Sequence, residues 1–118
     1  MKDNMTIQEL QAYIRTFCDE RDWSQFHNPK DLAIGISTEA NELLELFRFK
    51  DQVQTTEIMI DKAEDIANEL SDVFFYVLRF ADLNNIDLTS AFLHKMAINA
   101  EHYPITKAKG NNKKYNEY

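Results

Sequence analysis

Apolar residues recur every three or four positions along most of this chain, the spacing of helices with one buried face. Ile7, Leu10, Ile14 and Phe17 form one such stripe. It is opened by Thr6-Ile7-Gln8-Glu9, where Thr6 and Glu9 stand at capping-box spacing, and it predicts a first helix ending near Arg21. Asn28-Pro29 reads as an N-cap followed by a first helical proline, and starts a second helix running to about Lys50. Residues 51 to about 56 are polar and read as loop. The third helix, from Glu57 or Asp61 to Asn84, has the broadest apolar arc: Ile66, Leu70, Val73, Phe74, Val77, Leu78 and Phe80. Such width implies more than one packing partner, and hence a bundle centre or an oligomer interface. Asn84-Asn85 breaks that helix, and Asp87 with Ser90 suggests the cap of a fourth, about Leu88 to His102, which Pro104 ends. Residues 1–5 are expected to be disordered, and 107–115 show no helical period.

Polar residues interrupt this pattern in two places. Glu39 falls within the apolar arc of Leu32, Ile36, Leu43 and Leu46, where a solvated face would not put it, so its carboxylate should be partly buried. Glu42 follows at i+3. On the third helix Glu69 and Asp72 repeat that spacing beside the arc of Ile66, Leu70, Val73 and Val77, with Tyr76 between them in angle. If the two helices pack through these arcs, four carboxylates meet at the seam. Like charges in a low-dielectric place are costly unless a cation neutralises them, which points to a hard divalent ion held by oxygens, with magnesium expected. Glu45 lies some 120° from Glu39 by the helical rotation and cannot share that focus, and Asp61 and Asp65 read as solvated.

Composition sets the frame. A chain of 118 residues with 2 Gly, 2 Pro and 44% hydrophobic residues has little turn chemistry for a sheet, so the expected fold is all-α, a single four-helix bundle-like domain over residues 1–118. Its single cysteine, the lack of a membrane-length apolar run and the character of the N-terminus predict a soluble, cytoplasmic protein. The net charge of −7 argues against polymeric nucleic acid as a partner. Residues 105–118 nonetheless carry four lysines against one glutamate, and form either a flexible solvated terminus or a contact for one small polyanion.

Other candidates lie outside the acidic pairs. Trp23, Phe26 and His27 crowd the connector after the first helix, where aromatics either anchor the loop or face a planar ligand. His27 can contact a phosphate or a nearby backbone group. Lys95 and Asn99, four apart on the fourth helix, could take a phosphate and a sugar hydroxyl.

The E-x-x-E of Glu39 and Glu42 followed by the E-x-x-D of Glu69 and Asp72 resembles the all-α nucleoside triphosphate pyrophosphohydrolases, the MazG-like superfamily. The runs Glu20 to His27, Glu42 to Phe47, Glu69 to Val73 and Ile86-Asp87-Leu88 resemble its dCTP pyrophosphatase branch. The resemblance implies a magnesium-dependent enzyme, a homodimer or homotetramer, that splits a (deoxy)nucleoside triphosphate, such as dCTP or a modified dCTP, into monophosphate and pyrophosphate. Glu39, Glu42, Glu69 and Asp72 match its metal-binding catalytic acids, and Trp23, Tyr76, Lys95 and Asn99 its nucleotide contacts, with His27 also within the pattern. Phe49 stands where the branch usually has tryptophan, and Ile14 where its best-known members have histidine, which leaves base preference open. Two other classes compete. A di-iron bundle would need Glu-x-x-His pairs, but Ala91 precedes His94 and Asn99 precedes His102 at that spacing. A non-catalytic nucleotide-binding or helical interaction module would have no use for all four acids.

Overall fold

A computed structural model describes residues 3–118, and among these it contains six α-helices, two short 3-10 turns and no strand. Of the N-terminal stretch expected to be disordered, Met1 and Lys2 lie outside the described residues. Helix α1, Ile7–Glu20, opens on the predicted capping box: Thr6 Oγ1 accepts from the Glu9 amide and Glu9 Oε1 accepts from the Thr6 amide, both at 3.1 Å. Its inward side is Gln11, Ile14 and Cys18. Asp22, at φ 55°, turns the chain into the 3-10 turn Ser24–Phe26. Helix α2, Pro29–Glu45, starts where Asn28 accepts from the Asp31 amide at 2.9 Å, and Leu32 is wholly buried on it.

The next stretch departs from the periodic reading. α2 stops at Glu45, short of Lys50; Leu46 and Phe47 donate three residues back, and Phe49 reaches φ 62°. No glycine or proline marks this end, so the sequence hid it. Residues 52–56, read as loop, are instead the start of α3, Gln52–Asp61. Asp51 Oδ1 accepts from the Gln54 amide at 2.8 Å while Gln54 Oε1 accepts from the Asp51 amide at 2.9 Å, a second capping box whose polar letters resemble a loop. Lys62, at φ −117° and ψ 26°, then separates α3 from α4, Ala63–Leu83, where a continuous helix had been expected.

Helices α1, α2 and α3 all pack on α4. Gln11 Nε2 donates to the Leu78 carbonyl at 3.1 Å, and Arg15 grips Asp82 through two bonds of 3.0 and 2.9 Å. α2 approaches α4 closely at Gly35: a Cβ there would sit 2.5 Å from the Tyr76 ring. Residues Ile86–Tyr118 form a separate compact unit from Met1–Asn85. It holds α5, Leu88–His102, capped by Asp87 accepting from the Ser90 amide at 3.1 Å, and the single-turn α6, Ile105–Ala108. A second 3-10 turn, Tyr115–Glu117, follows, and Tyr115 stacks on His102 with ring centroids 4.2 Å apart.

The Gly35 contact generates a test. Gly35→Ala gains roughly 1 kcal/mol of helix propensity, but overpacking against the Tyr76 ring costs about 1–3 kcal/mol. The expected net result is a lower melting temperature by calorimetry. An equal or higher one would mean that the ring yields without cost.

Candidate active site

The packing of α2 on α4 brings the two acidic motifs together. Helical i, i+3 spacing turns both carboxylates of each motif to one side. As a result one oxygen from each of Glu39, Glu69 and Asp72 lies within 4.8 Å of the others. Glu42 completes the group, with its carboxyl in hydrogen-bonding reach of both Glu39 and Glu69. Glu39 and Glu69 are half-buried and Asp72 is exposed, so the cluster opens on one side. Glu39 Oε2 and Glu69 Oε2 are shut off from water without a hydrogen-bond partner.

The electrostatics follow from this crowding. Burial, then the Glu42 carboxyl, then the charges of Asp72 and Glu69 push Glu39 up to about 7. Glu69 is raised as well, by burial first, then by Glu42 and the charges of Asp72 and Asp65. An all-oxygen set with two unpartnered buried oxygens has the chemistry of a hard-cation site.

Beside the acids lies a cavity of about 370 Å³ with Glu39 and Asp72 on its wall. Its remaining lining is mostly apolar: Ile14 with the rings of Tyr13, Phe17, Trp23, Phe75 and Tyr76. Trp23 meets Phe17 edge to face at 5.6 Å and His27 at 6.4 Å. The Tyr76 hydroxyl is raised above its usual pKa by burial first and then by the charges of Glu39 and Asp72, so it stays a hydrogen-bond donor. A cavity with aromatic walls on one side and carboxylates on the other suits a ligand with a planar ring and a polyanion neutralised by a cation.

The structure thus gathers Glu39, Glu42, Glu69, Asp72, Trp23 and Tyr76 in one place. His27 is half-buried, and its Nδ1 accepts from Arg79 Nε at 3.0 Å. Phe49 is 90% exposed, with the Arg48 guanidinium 4.7 Å from its ring centroid, and it does not line the cavity. Lys95 and Asn99 lie in the second unit on α5, where Lys95 is exposed and Asn99 Nδ2 sits 3.8 Å from Met96 Sδ. Sequence reasoning missed Phe75 and Arg79. For Arg79 the helical pattern carried no signal: seven residues after Asp72 it shares that polar face, outside the arc of Ile66, Leu70, Val73 and Val77.

Residues 34–118 match the profile of the MazG-like family. The chain is 36% identical over 114 residues to human dCTP pyrophosphatase 1, covering 95% of this chain and 67% of that protein. The rat protein of the same name is 33% identical over the same coverage. Among solved structures, a pyrophosphatase from Archaeoglobus fulgidus superposes with a TM-score of 0.81 at 32% identity, over 88% of this chain and 97% of that one. With paired acidic motifs on two packed helices and this likeness in both sequence and fold, the chain belongs to the MazG-like family and is a nucleoside triphosphate pyrophosphohydrolase.

Proposed function

We propose that the enzyme uses magnesium at the acidic cluster and hydrolyses dCTP, or a dCTP modified on its base, to the monophosphate and pyrophosphate. The observation that carries the metal is the pair of buried, unpartnered oxygens Glu39 Oε2 and Glu69 Oε2 among four acids. Glu39, Glu42, Glu69 and Asp72 would hold the ion. When bound, it offsets the triphosphate charge and stabilises the charge developing on the leaving pyrophosphate.

The chain's own groups do the rest. Trp23 and Tyr76 pack against the base or sugar and position it, and the apolar wall keeps water from that end. Water adds across the anhydride between the α and β phosphates, and a carboxylate of the cluster orients it and accepts its proton. Ile14 lies 8% exposed on the cavity lining and offers the base a wall without hydrogen bonds. Lys95 and Asn99 are carried as phosphate and sugar contacts on the family pattern alone, and residues 1–118 as one pyrophosphohydrolase domain. A panel of canonical and base-modified triphosphates, with products identified, tests the substrate. Orthophosphate release, or a preference for purine triphosphates, would refute it.

We also propose a cytoplasmic homodimer or homotetramer. Leu70 and Phe74 on α4 are 56% and 47% exposed beside an apolar groove of about 450 Å³, a surface that a second copy would cover. The buried Cys18 is free, as suits a reducing compartment. Phe74→Glu should shift the protein toward monomer in light scattering. An unchanged mass would place the interface elsewhere.

The metal assignment predicts opposite signs for activity and stability. Glu69→Gln and Asp72→Asn should lower pyrophosphate release by roughly 10²–10³-fold, while the metal-free melting temperature stays equal or rises because repulsion is relieved. Magnesium should raise the melting temperature of the wild type and do so much less in the variants. Reduced metal-free stability with preserved turnover would overturn the assignment.

The raised Glu39 carboxyl adds a pH dependence. Unfolded, it titrates near its ordinary 4.5, and folded, at about 7. The folded state therefore binds the extra proton, and the stability associated with it is full below 4.5 and lost as pH rises through 7. Without metal, Glu39→Gln, which mimics the protonated acid, should match wild type at the acid end. Its advantage in melting temperature should grow up to about pH 7 and then level. A variant less stable at neutral pH would mean that Glu39 is held by a cation of the protein.

A further inference from the structure

One buried cation on α4 is not used by the carboxylate chemistry. Arg79 is 1% exposed, and a buried guanidinium is costly unless its charge and protons find partners. Its Nε donates to His27 Nδ1 and its Nη2 to Ser24 Oγ, each at 3.0 Å. Ser24 Oγ donates in turn to Asp19 Oδ1 at 3.4 Å, which links the guanidinium to a carboxylate at the end of α1. Nη1 is buried without a partner. An apolar side chain of similar volume would avoid this desolvation cost. It could not grip two acceptors three residues apart, which the planar guanidinium fork does.

Both acceptors belong to the short segment that carries Trp23. The Trp23 amide donates to the Cys18 carbonyl at 3.0 Å, and the Trp23 carbonyl accepts from the Phe26 amide at 2.9 Å. This fixes the backbone, but the ring depends on its neighbours, Phe17 and His27, each of which it meets edge to face. Of that pair, His27 is the one that Arg79 holds. Burial first, and then the Arg79 charge, keep the His27 pKa below its ordinary value, so near neutrality Nδ1 remains an acceptor.

We propose that Arg79 is a positioning residue for nucleotide binding: by gripping Ser24 and His27 it fixes the ring of Trp23 as an aromatic wall of the cavity, without itself touching the nucleotide. This rests on the reading of that cavity as the nucleotide site. Affinity would then depend on a residue outside both acidic motifs, because a wall already in place need not be ordered when the ligand arrives.

Trp23 is the only tryptophan, so its fluorescence reports on the clamp directly. Arg79→Lys keeps the charge but loses the fork, and Ser24→Ala removes one acceptor with little change in volume, so it serves if Arg79→Lys does not fold. In nucleotide-free protein, both variants should show red-shifted Trp23 emission and stronger quenching by iodide. In turnover with dCTP and magnesium, KM should rise about five- to tenfold, the scale of one lost hydrogen bond, with kcat within about twofold by the same measure. Emission and quenching that match wild type in the folded variants would refute the clamp, whatever their melting temperatures. Emission that shifts while KM stays constant would show a clamp that does not serve nucleotide binding, and would count against the cavity as the nucleotide site.

Discussion

Four carboxylates are forced together wherever α2 lies against α4, and the rest of the molecule is arranged around that contact. Crowded acids in a partly buried place repel one another, and nothing in their first surroundings compensates: Glu39 Oε2 and Glu69 Oε2 have no donor. The raised Glu39 and Glu69 carboxyls are the proton's answer to that repulsion, and a divalent cation is the alternative answer. The helices are held at this distance by features around the acids. Leu32 and Leu78 are buried, Gly35 leaves room for the Tyr76 ring, and Arg15 and Gln11 tie α1 to α4. The fold therefore supports a local electrostatic cost with apolar packing and hydrogen bonds placed around it, which is how a binding site is commonly sustained.

The site has two chemically distinct sides. Acids line one side, and Trp23, Phe17, Phe75 and Tyr76 supply a planar apolar side. Tyr76 joins them, since its ring packs over Gly35 while its hydroxyl feels Glu39 and Asp72. A nucleoside triphosphate has the matching division, a planar base at one end and a polyanion at the other. The pyrophosphatase relatives, similar in sequence and in fold, agree with that division.

α4 is asked to do more than any other helix. One side carries Asp72 and Tyr76 to the cavity and Glu69 to the acidic cluster, its interior positions Leu78, Arg79 and Ala81 are buried, and Leu70 and Phe74 remain uncovered. Few apolar residues are fully buried among those described, chiefly Ile14, Cys18, Leu32, Leu78 and Ala81. A core of that size leaves a large apolar area facing outward.

The helical class, the acidic pairs and most helix starts were legible in the amino-acid sequence because they depend on local spacing: 3.6-residue periodicity, i, i+3 carboxylates, and caps at Thr6, Asn28 and Asp87. Partial burial of Glu39 was legible too, from its place within an apolar arc. The break at Lys62 and the end of α2 at Glu45 were not, since no glycine or proline marks them and the Asp51 box is written in letters that also make loops. Only the tertiary structure decided which aromatics share a wall with the acids, that Phe49 stands outside it, and that Arg79 is buried with His27 and Ser24 as its acceptors. The physical reason is range: a helix pattern is set by neighbours within a turn, whereas Arg79 meets Ser24 and His27 across more than fifty residues of chain, a pairing that no local spacing encodes.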